Sequence, residues 1–197
     1  MWIKICGLSS AEAVAAALES GADALGFVFT DSPRRVTPLQ AARLAAPIGG
    51  RARRVAVARH PPQQLVDAIL ADFAPEVLQT DADDFAGLTL PASLGRLPVW
   101  RASRGGALPA RLLFEGAASG RGELSDWAAA RELARRTELV LAGGLNCANV
   151  REALRAVAPF GVDVSSGVED EPGRKSPALI ARFVATVRGA SAPGNLS

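Results

Sequence analysis

The regular spacing of short apolar segments is the feature of this sequence that most restricts its fold. Within 197 residues, eight apolar, β-prone runs recur about every 25 residues, which is the spacing of strand–helix units. The runs are mostly continuous rather than alternating, which is typical of strands buried on both faces of a parallel sheet. The eight predicted strands are Trp2–Cys6, Ala24–Phe29, Arg54–Ala58, Glu76–Gln79, Leu97–Trp100, Arg111–Glu115, Glu138–Ala142 and Gly161–Val164.

Helical segments follow most of these strands, and several begin with capping residues. Ser9 and Glu12 have the spacing of a capping box, and so do Thr37 and Gln40, with Pro38 at the first helical position. The predicted helices are Ala11–Glu19, a segment that begins at Pro38, Pro61–Phe73, Asp126–Arg136, Asn149–Val157 and Pro177–Arg188. Because strands and helices alternate, we predict a parallel sheet covered by helices.

Eight such units predict an α/β fold, a small single-domain (β/α)8 TIM barrel over residues 1–190, with a flexible C-terminal tail over residues 191–197. The segment between Trp100 and Arg111 is too short and too glycine-rich for a full helix, so helix 5 is predicted to be short or absent. Asp83–Leu94 predicts only a stunted helix. An open, doubly wound sheet is the structural alternative, although the first strand lacks the Gly-x-Gly-x-x-Gly turn of a dinucleotide site.

The composition excludes several classes of protein. No run approaches the roughly 20 apolar residues of a membrane span, and the N-terminus has no apolar signal-peptide core. Lysine and arginine number 22 and aspartate and glutamate 20, and this net charge of +2 predicts no nucleic-acid partner. The two cysteines, Cys6 and Cys147, are interpreted as reduced thiols of a cytoplasmic protein. A single histidine, His60, argues against zinc sites built on several imidazoles.

The loops after the predicted strands should carry any active site, because such barrels act at the carboxyl ends of their strands. Gly143 and Gly144 follow the seventh strand, and Ser165, Ser166 and Gly167 follow the eighth. Exposed backbone N–H groups and nearby helix N-termini favour anions, so we predict that these five residues bind a phosphate group. The alternative is that Gly143-Gly144 forms only a tight turn.

Three residues at the same end of the predicted barrel have reactive or charged side chains. Cys6 ends the first strand, where a thiolate can act as nucleophile or base, although a strand-end cysteine is often only a small buried residue. Glu115 follows apolar residues, so desolvation would raise its pKa and suit it to acid catalysis, unless it is a solvated rim carboxylate. Arg34 could pair with a substrate carboxylate or simply be solvated. We interpret His60 as a helix-start residue and Cys147 as structural.

Several segments, in this order, resemble the phosphoribosylanthranilate isomerases. These segments are Lys4–Leu8, Gly21–Phe29, Ser32–Arg34, Leu141–Asn146, Gly161–Glu169 and Gly173–Lys175. The resemblance runs from residue 2 to about residue 188. It implies a (β/α)8 barrel of L-tryptophan biosynthesis that converts N-(5′-phosphoribosyl)anthranilate to 1-(2-carboxyphenylamino)-1-deoxyribulose 5-phosphate. This Amadori rearrangement is an aldose–ketose isomerisation that proceeds by general acid–base catalysis without metal or cofactor.

The resemblance also implies roles for individual residues. Cys6 falls on the position of the general base and Glu115 on that of the general acid. Arg34 falls on the residue that holds the anthranilate carboxylate, and Gln79 and Asp163 fall on positions near the substrate. Gly143, Gly144, Ser165, Ser166 and Gly167 fall on the phosphate-binding loops.

Some positions depart from the family pattern. Glu115 stands where the family has aspartate, Asp81 stands where it has histidine, and Ser119–Gly122 replaces a glycine-rich loop. Two functional alternatives therefore stay open: a related histidine-pathway or dual-substrate Amadori isomerase, and a non-catalytic barrel that binds phosphosugars. In each case the expected partner is a small phosphosugar, and the expected assembly is a monomer or homodimer.

Overall fold

The computed structural model describes residues 1–101, 107–116 and 126–190. Eight parallel strands form a closed barrel in which each strand pairs with the next in chain order and the last pairs with the first. The strands are β1 Trp2–Cys6, β2 Ala24–Val28, β3 Arg53–Val57, β4 Val77–Asp81, β5 Gly95–Trp100, β6 Arg111–Phe114, β7 Glu138–Leu141 and β8 Gly161–Val164. The predicted (β/α)8 barrel is confirmed, and the open-sheet alternative is wrong.

Helices stand between the strands as predicted, with some different boundaries. They are α1 Ala11–Glu19, α2 Pro38–Ala45, α3 Gln63–Ala68, α4 Trp127–Ala134, α5 Val150–Val157 and α6 Pro177–Ala190. A π-helical turn over Ile69–Phe73 extends α3, and a 3-10 turn over Asp84–Ala86 replaces the stunted helix predicted before β5. In the ranges that the structure describes, no helix is long and apolar enough to cross a membrane.

Three of the predicted features fall partly or wholly outside the residues that the structure describes. The segment predicted to lack a full helix 5 includes residues 102–106, which lie outside the described ranges. The predicted tail over residues 191–197 and the Ser119–Gly122 loop also lie outside them.

The helix starts show one correct and one wrong prediction. Thr37 and Gln40 form the predicted capping box: the Gln40 N–H donates to Thr37 Oγ1 at 3.2 Å, and the Thr37 N–H donates to Gln40 Oε1 at 2.8 Å. The cap of α1 is Ser10 rather than Ser9, since Ser10 Oγ accepts from the Ala13 N–H at 3.2 Å. The first helical residue is Ala11, so the cap falls one position later than the Ser9 box predicted.

The core has two parts because alternate residues of a strand face opposite sides of the sheet. Outward-facing residues such as Phe27 pack with the helices, and the Phe27 ring lies 5.1 Å from that of Phe73. A smaller apolar cluster, which fills the barrel interior, consists of Leu97, Val99, Leu113, Val140 and Ala142. The buried polar residues of the barrel strands are Lys4, Gln79, Thr80, Asp81 and Asp163. Thr80 alternates with Gln79 and Asp81 along β4 and so faces the other side of the sheet, and it does not line the cavity described below. The functional side chains are therefore drawn from one set of alternate strand residues.

A short hairpin after β8 was not predicted. A 3-10 turn over Ser166–Val168 leads into β9 Glu169–Glu171, which pairs antiparallel with β10 Arg174–Lys175. Strands of three and two residues carry too little periodicity to be seen in a sequence. The hairpin brings Glu169 and Lys175 to the carboxyl end of the barrel.

Candidate active site

A cavity of about 310 Å³ opens at the carboxyl ends of the barrel strands. Six of the predicted site residues line it: Cys6, Arg34, Gln79, Glu115, Asp163 and Ser165. The other four, Gly143, Gly144, Ser166 and Gly167, lie outside this lining. Barrel closure thus brings the predicted base and the predicted acid, 109 positions apart by their numbers (115 − 6), into one cavity.

Cys6 shares the barrel interior with a buried ion pair. Lys4 Nζ donates to Asp163 Oδ1 at 2.8 Å, and the Lys4 side chain is completely buried. Burial raises the pKa of the Cys6 thiol, and the neighbouring positive charge of Lys4 only partly opposes this effect. Burial alone would lower the pKa of Lys4, but Asp163 and Cys6 together hold that pKa above its ordinary value. Lys4 therefore remains a cation beneath the thiol.

Arg34 lies in the cavity but already has a carboxylate partner. Its Nε donates to Glu169 Oε1 at 2.6 Å, and its Nη2 donates to Glu169 Oε2 at 2.7 Å. Lys175 donates to the same Glu169 carboxylate. Burial would raise the pKa of Glu169, but Arg34 and Lys175 outweigh it and lower that pKa to about 2. Two cations face one carboxylate here, so the group keeps a net positive charge for an incoming anion.

Glu169 and Lys175 were not predicted as site residues. Both lie within the segments that carry the family resemblance, so the signal was present, but nothing in their spacing revealed a contact with Arg34. Burial lowers the pKa of Lys175 despite its contact with Glu169.

A second charged group lies at the ends of β3, β4 and β5. Arg101 donates to Asp81, and His60 Nε2 lies 3.3 Å from the other oxygen of that carboxylate. His60 Nδ1 lies 2.8 Å from Asp84 Oδ1, and Thr80 donates to Asp84. Asp81 stands where the resemblance implies histidine, yet an imidazole still reaches this place from the β3 loop. His60 is thus more than the helix-start residue that the sequence suggested.

Among the described residues, His60, Asp81 and Asp84 also have ligand atoms close enough together, within 4.8 Å, to hold a metal ion. Arg101 donates to Asp81, and Arg59 Nε lies 3.8 Å from its other carboxylate oxygen. Cations already balance this carboxylate, so the arrangement favours an ion-pair network over a metal site. The expectation of no metal and no cofactor stays a prediction.

Gln79 has an unsatisfied polar atom in the cavity wall. Its Oε1 is buried and has no hydrogen-bond partner within the described part of the chain. A buried acceptor without a partner is costly, and a ligand hydroxyl or N–H in the cavity would satisfy it.

The loops after β7 and β8 are in direct contact. Gly143 and Gly144 have φ of 90° and 64°, and a side chain on Gly167 would collide with the carbonyl oxygen of Leu145 and lie 2.9 Å from Asn146 Cβ. Close packing of two glycine-containing loops is compatible with an anion site, and phosphate binding by these residues stays a prediction.

Ser165 connects these loops to the chemical part of the site. Its Oγ donates to the Cys6 carbonyl oxygen at 3.1 Å, and its own carbonyl oxygen accepts from Lys175 Nζ at 3.0 Å. The Cys6 backbone and the proposed phosphate site are therefore held in a fixed relation.

Glu115 follows β6 directly, and its N–H donates to the Trp100 carbonyl oxygen at 3.2 Å. Its half-buried side chain lines the cavity with Cys6. The raised pKa expected for this carboxyl stays a prediction. Cys147 lies outside the cavity lining, and its Sγ donates to the Leu179 carbonyl oxygen at 3.7 Å, in keeping with the structural role expected of it.

A family model described as N-(5′phosphoribosyl)anthranilate (PRA) isomerase matches residues 3–186. The chain belongs to this family. A Granulibacter bethesdensis protein named N-(5′-phosphoribosyl)anthranilate isomerase is 39% identical over 206 residues, covering 95% of this chain and 98% of that protein. The resemblance that was inferred from the motifs is thereby confirmed.

Solved structures agree with this PRA isomerase assignment. The phosphoribosyl anthranilate isomerase of Thermus thermophilus has a TM-score of 0.82 and 30% identity, covering 96% of this chain and 99% of that chain. A phosphoribosyl anthranilate isomerase in complex with reduced 1-(o-carboxyphenylamino)-1-deoxyribulose 5-phosphate has a TM-score of 0.76 and 27% identity over the same shares.

Proposed function

We propose that the chain catalyses the Amadori rearrangement of N-(5′-phosphoribosyl)anthranilate to 1-(2-carboxyphenylamino)-1-deoxyribulose 5-phosphate, a step of L-tryptophan biosynthesis. The observation that carries this proposal is the presence of Cys6 and Glu115 in one cavity of a PRA isomerase barrel. One solved relative holds a reduced form of the same product.

The reaction needs one acid and one base. Glu115 donates a proton to the ring oxygen while the bond from that oxygen to C1′ breaks and the amine nitrogen forms a Schiff base with C1′. The Cys6 thiolate then removes the C2′ proton, and the electron pair forms the C1′–C2′ double bond of an enolamine. A proton lost from the 2′ hydroxyl and a proton gained at C1′ complete the ketone, so no net oxidant or reductant is required.

The remaining site residues bind and orient the substrate. The loops that contain Gly143, Gly144 and Ser165–Gly167 hold the phosphate, mainly through backbone N–H groups. Gln79 Oε1, which is buried without a hydrogen-bond partner in the described part of the chain, accepts a hydrogen bond from a substrate hydroxyl. Asp163 contacts the ribose part with the carboxylate that Lys4 holds in place.

Arg34 binds the anthranilate carboxylate through N–H groups that are not engaged by Glu169. An arginine has five donors, and Glu169 occupies the edge formed by Nε and Nη2. The Nη1 group remains for the substrate, and Lys175 supplies the additional positive charge.

Turnover assays with single variants test this proposal. The purified chain should consume N-(5′-phosphoribosyl)anthranilate, followed by the loss of anthranilate-type fluorescence. Cys6→Ala should lower kcat by about 10²–10⁴-fold with little change in KM, because proton transfer typically contributes that much. Glu115→Gln keeps the shape of the side chain but cannot donate the proton, so kcat should also collapse, whereas Cys147→Ala should retain full activity.

The outcomes separate the alternatives. Binding of the product without turnover by the unmodified chain would support a non-catalytic barrel, and turnover of the histidine-pathway aminoaldose would support a dual-substrate enzyme. If Glu115→Gln stayed active while Asp163→Asn did not, the acid would be Asp163. We also propose that the enzyme acts in the cytoplasm as a monomer or homodimer, and that residues 1–190 form its single domain.

A further inference from the structure

Lys4 is a buried cation whose only role in the proposed function is to hold the Asp163 carboxylate. Its side chain has no exposed surface, and its ammonium group is paired with Asp163. A buried charge is costly unless partners compensate it, and an apolar pair of similar size would often serve packing equally well. Lys4 is not among the residues that line the cavity, whereas its partner Asp163 and the neighbouring Cys6 are, and this position suggests a purpose related to Cys6.

Lys4 and Cys6 face the same side of β1 because they are two residues apart. Gly26 of β2 pairs with Cys6. A Cβ on Gly26 would lie 3.1 Å from Lys4 Nζ and 3.2 Å from Cys6 Cα. The ammonium group and Cys6 therefore border the same small gap, which the glycine keeps open.

Four charged groups act on the thiol of Cys6 or on its thiolate. Burial raises the pKa of Cys6 most strongly, Lys4 opposes it, Asp163 adds to it, and Lys175 opposes it more weakly than Lys4. The guanidinium of Arg34 also interacts with the charge on Cys6. The side chains of Lys4 and Lys175 are both fully buried, so solvent and salt screen them little, and of the two Lys4 acts more strongly on Cys6.

We propose that Lys4 is a positioning residue of the isomerase which, held by Asp163, stabilises the thiolate of Cys6 and so makes it available to remove the C2′ proton. This inference rests on the proposed role of Cys6 as the base. Asp163 has two opposed effects: it holds the ammonium group in place, and its own negative charge disfavours the thiolate.

The pH dependence of Cys6 alkylation tests the proposal without using turnover. Iodoacetamide reacts with the thiolate, and mass spectrometry of the peptide that contains Cys6 gives its rate in each variant. Lys4→Met should move the midpoint of the rate profile upward by about one pH unit or more, whereas Lys4→Arg should remain close to the unmodified protein. Asp163→Asn should move the midpoint downward.

The opposite shifts expected in Lys4→Met and Asp163→Asn distinguish an effect of charge from an effect of loosened packing. Loosened packing would expose Cys6 in both variants and shift both midpoints the same way, and that result, or an unchanged midpoint in Lys4→Met, would overturn the proposal. Cys147 is an internal reference, since its rate should be the same in all variants. If Lys4→Met does not fold, Lys4→Met/Asp163→Leu removes both charges, and its midpoint should still lie above that of the unmodified protein.

Failure of the proposed function would look different. If Cys6→Ala retained isomerase activity, Cys6 would not be the base, yet the alkylation profiles would still report whether Lys4 stabilises the thiolate. If Cys6→Ala were inactive and the alkylation profiles of the Lys4 variants did not shift, Cys6 would remain the proposed base, and the proposal that Lys4 stabilises its thiolate would be wrong.

Discussion

The two sides of the proposed active site are built in different ways. At the ends of β7 and β8 the proposed phosphate site relies on backbone: the two loops are in contact at Gly167 and Leu145, and Gly143 and Gly144 have positive φ. Near β2 to β5 the chain uses pairs of charged side chains, such as Arg34 with Glu169 and Arg101 with Asp81. A site built from backbone groups requires glycine at particular positions. A site built from charged side chains requires that both partners of an ion pair be substituted together.

This difference bears on one of the departures from the family pattern. The departure at Asp81 falls on the side-chain side, and Arg101 and His60 surround the new carboxylate. A charged group can be exchanged when its neighbours compensate. Gly167 allows no such exchange, because a Cβ there would collide with the Leu145 carbonyl oxygen of the neighbouring loop.

The largest expected effect follows from adding a single carbon to the backbone side. In Gly167→Ala, the new Cβ would collide with the Leu145 carbonyl oxygen, so the loops after β7 and β8 must separate. Overpacking of this kind typically costs about 1–3 kcal/mol of unfolding free energy. We expect kcat/KM for the phosphorylated substrate to fall by about 100-fold or more, because the proposed phosphate site would lose charge-assisted bonds from aligned N–H groups. Steady-state kinetics and urea unfolding measure both effects.

Two matched variants sharpen this comparison. A Cβ on Gly189 has no neighbouring atom within 4 Å, so Gly189→Ala should leave both kinetics and stability nearly unchanged. Ser166→Ala removes a hydroxyl but no backbone N–H, and a single neutral hydrogen bond contributes about 0.5–1.5 kcal/mol. A loss in Ser166→Ala as large as that in Gly167→Ala would show that side chains, not backbone, hold the phosphate.

An intermediate effect is expected on the side-chain side. Arg34→Met should raise KM for N-(5′-phosphoribosyl)anthranilate by about 10–100-fold, since truncating one partner of a buried, hydrogen-bonded charge pair costs about 2–5 kcal/mol and Lys175 retains part of the positive charge. The analogue made from aniline lacks the carboxylate, so its kcat/KM should change much less. Kinetics with both substrates measure this selectivity.

Arg59→Met is the matched control, because the Arg59 side chain is 65% exposed and lies 3.8 Å from Asp81. It should affect both substrates only slightly. An equal loss on both substrates in Arg34→Met would remove Arg34 from carboxylate recognition and leave it as a structural partner of Glu169.

The smallest expected effect is on the pH dependence of stability. The pKa of Glu169 is lowered to about 2, from an ordinary value of 4.5. Its contribution to stability is therefore fully present above pH 4.5 and is lost as the pH falls toward about 2. The unmodified protein should lose more stability between pH 5 and pH 3 than Glu169→Gln does, as measured by urea midpoints.

Glu132→Gln is the control for this experiment. Glu132 pairs with Arg135 on the surface and its side chain is 67% exposed, so its removal should leave the pH dependence unchanged. If Glu169→Gln lost as much stability with acid as the unmodified protein, the Arg34–Glu169–Lys175 group would not be a source of acid sensitivity.

Much of the fold was predictable because it depends on local pattern, and so was the placement of Cys6 and Glu115 at the cavity. The eight strands follow from runs of apolar residues, and the positions of Cys6, Glu115 and the glycine loops follow from where those runs end. The π-helical turn after α3 and the hairpin of β9 and β10 were not predictable, because a single turn and strands of two or three residues leave no periodic signal. The cap of α1 was misplaced by one residue because Ser9 and Ser10 are both capping residues.

The amino-acid sequence alone determined the barrel, its family and the residues at its carboxyl end, since strand spacing, alternation and motif order are properties of neighbouring residues. Only the tertiary structure decided which charges meet. Lys4 and Asp163 are 159 positions apart, and Arg34 and Glu169 are 135 apart. The pairing of β8 with β1, and the hairpin that follows β8, bring these partners together. The sequence cannot predict such an ion pair, because several cations could equally face the same carboxylate.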